Sequence, residues 1–263
     1  MKSLEVRRLA PLAIRRFAPF AMAAFALSLV PVGVQAQGPP PAGRGPANAK
    51  VGAPIDITGQ WVSVVTEDWR YRMVTPAKGD YASVPLNADA RKVADAWDAA
   101  KDEAAGNACK SYGAAALMRV PGRIRISWAD DDAMKVETDA GTQTRNFYFK
   151  EPKGAGGDWQ GVSQSSWDVI GGGRGGPVRG GSLKVVTTKM KAGYLRKNGV
   201  PYSDKTVLTE FYDRTNEPNG DSWLVVTTIV DDPMYLNQPF ITSTHFKKQA
   251  DEKGWNPTAC SAR

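Results

Sequence analysis

The feature that most constrains this chain is a strict period-two alternation that returns at short intervals. Ile124, Ile126 and Trp128 alternate with Arg123, Arg125 and Ser127. After Asp130-Asp131-Asp132 the pattern resumes, with Met134, Val136 and Thr138 set against Lys135 and Glu137. Successive side chains on a strand point to opposite faces, so such a run buries one face and wets the other. Residues 58–66, 142–149, 159–169, 183–190, 206–213, 223–230 and 240–246 read as further strands. Together they predict a mainly β fold of about nine antiparallel strands, as a lipocalin-like barrel or a two-sheet sandwich rather than βαβ units. One helix is expected near residues 88–105, capped by Asn87, with Ala90, Val93, Ala94 and Trp97 at helical spacing. A faint repeat, Val185-Val186-Thr187-Thr188 and Val225-Val226-Thr227-Thr228, has one strand between its copies. In a meander both copies then end at one rim, which would carry Tyr194, Arg196 and Lys197 with Asp231, Asp232 and Tyr235.

Two resemblances follow from particular residues. Gly59-Gln60-Trp61 at the start of the first strand resembles the G-x-W opening of lipocalin-like barrels, where the tryptophan plugs the closed end. Residues 61–86, 117–128 and 193–202 are similar to an uncharacterised family of secreted bacterial proteins. That likeness implies export and supplies no activity.

The first 36 residues read as a signal peptide. Lys2, Arg7, Arg8, Arg15 and Arg16 precede an apolar run, and Val34-Gln35-Ala36 suits cleavage. Sec export fits better than the twin-arginine route, and the destination is the periplasm or the medium. Cleavage removes five of the 34 basic residues and one of the 27 acids, so the whole chain's net charge of +7 falls to +3. That balance excludes a nucleic-acid footprint, which needs a strongly basic face. No stable membrane insertion is expected after cleavage. Residues 37–54 are rich in Gly, Pro and Ala and read as a flexible arm, leaving 55–263 as a single β domain. In an oxidising compartment the two cysteines, Cys109 and Cys260, are expected to pair.

The residue inventory removes several chemistries. His245 is the only histidine, which excludes a multi-His metal centre, and neither a metal nor a cofactor is expected. Gly161-Val162-Ser163-Gln164-Ser165 lacks the final glycine of a nucleophile elbow. The loop around Arg174 precedes a strand, so it lacks the helix N-terminus a phosphate cradle needs. Residues 213–221 fail the calcium-loop spacing. What remains are the acid pairs Glu67-Asp68 and Asp231-Asp232, which Arg70 and Arg72 can partner, and the predicted strand at 159–169. There Trp159, Gly161, Ser163, Ser165 and Trp167 share one face. Facing inward, that face leaves a gap edged by aromatics. Facing outward, it lets the helix approach the sheet.

The leading expectation is a binding protein or carrier for a small hydrophobic or aromatic ligand. Trp159 and Trp167 would bury the ligand, and Tyr194, Arg196 and Tyr235 would select its polar end. A second reading is an isomerase, cyclase or hydratase using Asp68, Asp232 or Tyr235 as acid or base. A third is a structural accessory protein that docks on an envelope partner.

Overall fold

The structure, a computed structural model, describes residues 47–173 and 176–263. The leader, the first part of the arm and Arg174 lie outside the described residues. Nine strands close into a barrel: β1 (Gly59–Val64), β2 (Arg123–Asp130), β3 (Ala133–Thr138), β4 (Thr144–Tyr148), β5 (Val162–Gly171), β6 (Val178–Thr188), β9 (Val207–Asn216), β10 (Ser222–Asp231) and β11 (Phe240–Gln249). They correspond one for one to the strands read from the sequence. Closure is made at β1, where Val62 pairs with Arg123 of β2 on one side and Lys247 of β11 on the other. With both of its edges paired the nine-stranded sheet has no free edge among the described residues, and the fold is a barrel, not a sandwich.

The expectation of purely antiparallel pairing needs one correction. β4 and β5 run parallel, meeting only at Phe147 with Ser163 and Tyr148 with Gln164. Residues 149–161 carry the chain back to make this possible, and strand β5 starts at Val162 instead of Trp159. Gly161 sets that start. It has φ +61°, and a Cβ there would collide with the Thr188 carbonyl of the neighbouring strand.

The expected single helix is two. α2 (Ala88–Asp95) is capped as predicted, with Asn87 Oδ1 accepting from Ala90 N at 2.9 Å. It ends because Asp98 opens a new helix, α3 (Ala99–Ala104), by accepting from Ala100 N at 3.0 Å and Lys101 N at 3.3 Å. The short carboxylate competes for backbone donors that a continuous helix would use itself. Three short elements complete the helical part among the described residues: α1 (Trp69–Met73), a 3₁₀ turn (Ala108–Tyr112) and α4 (Ala114–Leu117). A small hairpin of β7 (Gly193–Arg196) and β8 (Val200–Tyr202) stands apart from the barrel.

Two apolar clusters fill the molecule. The first lies within the barrel, with Ile124, Val136, Phe147, Leu183, Val226 and Phe246 facing inward, and reaches Trp61 near one end. Trp61 is fully buried, and its indole N–H donates to the Ile57 carbonyl at 3.0 Å. The second cluster closes the opposite end. Leu208, Val230 and Phe240 from the strand ends meet Ala90 and Ala94 of α2, Ala114 and Ala115 of α4, and Leu195, Val200 and Tyr202 of the hairpin. The helices and the hairpin therefore form a cap. β6 and β10 both end at this capped rim with β9 between them. The two copies of the repeat sit in opposite phase, because Val185 and Thr187 point inward in one and Val226 and Thr228 in the other.

Residues 47–54 of the expected arm rest on the uncapped end. Lys50 N donates to the Asp131 carbonyl at 3.0 Å, and the Ala49 carbonyl accepts from Trp167 Nε1 at 2.9 Å.

Candidate functional site: an arginine-lined pocket at the capped rim

The barrel lumen holds a buried charged pair. Ser163 and Ser165 do face inward, but Arg145 and Glu210 occupy the space beside Ser163. Two guanidinium nitrogens of Arg145 reach the two carboxylate oxygens of Glu210 at 2.9 and 2.6 Å, and neither side chain is exposed. Thr187 Oγ1 accepts from Arg145 at 3.1 Å and lies 2.8 Å from Ser163 Oγ, while Tyr212 OH donates to Glu210 at 3.2 Å. Burial works against the charged guanidinium, but Glu210 outweighs it and holds Arg145 above its ordinary value. Burial and the neighbouring carboxylate push the Tyr212 phenol up.

The two tryptophans of the predicted ligand face belong to opposite ends. Trp159 lies before β5, where its carbonyl accepts from Ala114 N of the cap at 2.9 Å and Lys191 covers its ring at 4.6 Å. Trp167 lies at the uncapped end, stacked on Phe149 at 5.2 Å and tilted against Trp128 at 6.4 Å. There it lines a cavity of about 320 Å³ with Ile55, Ile57 and Met134.

The rim residues also separate. Tyr194 OH donates to Asp102 Oδ2 at 2.9 Å, and Lys110 Nζ holds the other oxygen at 2.7 Å. Tyr235 packs against the cap cluster. Asp232 is buried and accepts five hydrogen bonds, from Ser203 N and Oγ, Thr206 Oγ1, Met234 N and Tyr235 N. Its carboxylate organises the turn after β10 and joins it to the loop before β9.

Arg196 leads to the pocket. A cavity of about 390 Å³ opens beside the cap between α1, the 3₁₀ turn, α4, β7 and the C-terminal tail. Tyr71, Tyr112, Val120 and Leu195 give it aromatic and aliphatic walls, and Arg72, Arg119 and Arg196 line it with charge. All three arginines are at least nine-tenths buried. Arg72 Nε donates to the Arg119 carbonyl at 2.9 Å, and Arg72 Nη1 pairs with Glu67. Arg119 Nη2 pairs with Asp68 Oδ2 at 3.0 Å. Asp68 reaches that position from a left-handed backbone, φ 50°, at the start of α1, a conformation aspartate tolerates better than most residues. Arg196 Nη1 donates to the Ala82 carbonyl at 2.7 Å, and its guanidinium lies over the Tyr71 ring at 4.3 Å. Burial lowers both Arg72 and Arg196 from their ordinary values. The predicted pairing of the Glu67-Asp68 acids with Arg72 is present, while Arg70 turns to Asp80 at 2.7 Å. His245 is drawn in as well, with Nδ1 3.3 Å from Glu67 Oε2.

The cysteines join as expected, Cys109 to Cys260. Cys109 belongs to the 3₁₀ turn that supplies Ser111 and Tyr112 to the pocket, and Cys260 to the tail that supplies Thr258 and Arg263.

Arg119 escaped sequence reasoning, although a signal existed. It stands alone as a charge in the apolar run from Ala114 to Val120. An arginine that an apolar run does bury needs a partner, because arginine is almost never fully buried unpaired. Comparison with protein-family models, with curated proteins and with solved structures found no match for this chain.

Proposed function

We propose that this protein is an exported small-molecule binding protein that carries a hydrophobic or aromatic ligand, and that the ligand sits in the pocket beside the cap. One observation carries the reading. A concave site of about 390 Å³ brings the aromatic and aliphatic groups of Tyr71, Tyr112, Val120 and Leu195 together with five cationic side chains, and small ligands are held in concave sites where apolar surface meets convergent polar groups. The filled lumen supports this place over the barrel interior. The acid–base alternative has less support, because the five donors on Asp232 leave its carboxylate committed to the fold.

The test is Nile red, a neutral dye that brightens in apolar sites. Thr75 lines the pocket and is partly exposed, so Thr75→Trp places a large ring in the cavity without replacing a core residue. The wild-type protein should bind the dye, and the variant should lose most of the signal while melting at the same temperature. Equal dye binding by both proteins would move the ligand site elsewhere.

A further inference from the structure

We propose that the pocket recognises its ligand through a single carboxylate, received by Arg196 with Arg72 and Arg119 beside it. The proposal rests on the reading of the pocket as the ligand site and specifies the class of molecule bound there. Four guanidinium nitrogens of the three pocket-lining arginines are buried without a hydrogen-bond partner: Arg72 Nη2, Arg119 Nη1, and both Nε and Nη2 of Arg196, whereas Arg123, Arg125 and Arg145 elsewhere each leave a single Nε so. Buried donors are nearly always satisfied, so a cluster of open ones around one cavity marks a missing acceptor. In Arg196 the two open atoms form one edge of the guanidinium. That edge presents two parallel N–H groups, the geometry that matches both oxygens of a carboxylate. Tyr71 stacks under the guanidinium and the Ala82 carbonyl holds its far nitrogen, so the edge is fixed in orientation.

The charge count sets the valence of the ligand. Glu67 neutralises Arg72, and Asp68 neutralises Arg119. Asp80, the remaining acid near Arg196, is turned to Arg70. Among the described residues Arg196 has no carboxylate in salt-bridge contact, which leaves one buried positive charge uncompensated. A buried charge needs a counter-charge. One carboxylate supplies it, whereas a phosphate monoester brings nearly two negative charges. Lys197 and Arg263 do not change this count at the buried wall: the Lys197 ammonium sits at the rim, 3.0 Å from the Arg263 main-chain oxygen, and the Arg263 residue is exposed. Tyr71, Tyr112 and Leu195 then receive the apolar body. Desolvation of Arg72 and Arg196 agrees with a site from which water is partly excluded.

The test uses three probes with one aromatic body and different heads: 1-naphthaleneacetate, its neutral amide 1-naphthaleneacetamide, and 1-naphthyl phosphate. Calorimetric titration of the whole chain at constant ionic strength should show the carboxylate binding at least about ten-fold tighter than the amide. Arg196→Gln should abolish that preference and leave the amide unchanged. Arg196→Lys should recover only part of it, because an ammonium lacks the two-pronged edge. Asp68→Asn is the second variant, for the case that the Arg196 variants fail to fold: Asp68 is partly exposed, so its loss should destabilise less than loss of a fully buried partner would. It uncovers a second positive charge and should shift preference toward the phosphate. Equal affinity for carboxylate and amide overturns the proposal, as does a wild-type preference for phosphate. Failure of all three probes while Nile red still binds overturns the carboxylate and spares the pocket. Failure of all four removes both.

Discussion

Cys109 and Cys260 fasten together two walls of the same pocket, the 3₁₀ turn that carries Tyr112 and the tail that carries Thr258. The bond spans 151 residues, so it ties the tail of the domain to its first third. Its effect is therefore twofold, on the entropy of the unfolded chain and on the shape of the site.

Replacing both cysteines by serine should destabilise the protein by up to about 4–5 kcal/mol in the chain-entropy account. Denaturant melts of the oxidised wild type and the double variant measure this. Under native conditions the variant should also bind Nile red more weakly, because the two walls are free to part. A variant that loses stability but keeps full dye affinity would show that the bond serves the fold alone.

The Arg145–Glu210 pair should behave asymmetrically. Glu210→Gln leaves a buried guanidinium without its counter-charge and should cost about 3–5 kcal/mol. Replacing both partners with methionine removes the charge with the partner and should cost much less, or nothing. Urea titrations of the single and double variants decide the matter. Similar losses in both would mean that the pair contributes shape, not charge compensation.

Asp232→Asn should be strongly destabilising, by about 2–4 kcal/mol, since an amide cannot accept from all the donors that now converge on the carboxylate. Its melting temperature is the readout. A variant as stable as the wild type would release Asp232 from its structural role and reopen the acid–base reading.

Stability should fall on the alkaline side. Burial opposes the charge on Lys110, but hydrogen bonds to Asp102 and Tyr194 hold it above its ordinary value of 10.5. Burial, then the hydrogen bond to Asp102, raises the Tyr194 phenol above 10.0. In both cases the folded state keeps its proton longer than the unfolded state does. Their contribution is fully present below the unfolded values and is lost as pH rises through the folded ones. Melting temperature should therefore drop above about pH 10, and Tyr194→Phe should make that drop shallower. An unchanged alkaline slope in Tyr194→Phe would remove Tyr194 as a source.

Much of the fold was legible because the period of a strand is written directly into the chain. The alternation through Arg123–Asp130 and Ala133–Thr138 needs no partner to be read, and all nine strands were found in this way. Asn87 as a cap is equally local. The interruption at Asp98 was also written locally, but the apolar spacing across it masked the second cap. Buried charge left a trace too. Arg145 and Glu210 occupy inward positions in alternation with Phe147, Leu208 and Tyr212, and period two applied to charges would have flagged them.

What the chain alone determined, then, was the set of strands, the residues that share a face on each and the two cysteines available to join. Those depend on backbone geometry and composition within a few residues. Tertiary structure decided the rest. Closure between β1 and β11 made a barrel out of a strand list that fits a sandwich equally well. The parallel pairing of β4 with β5 was set by the route of residues 149–161, which no strand period records. The pocket assembles Arg72, Arg119 and Arg196 from three separate elements. No period or spacing relates these arginines. They meet because the cap must bury its apolar faces on the barrel end, and that packing, not the local sequence, brings their charges to one wall.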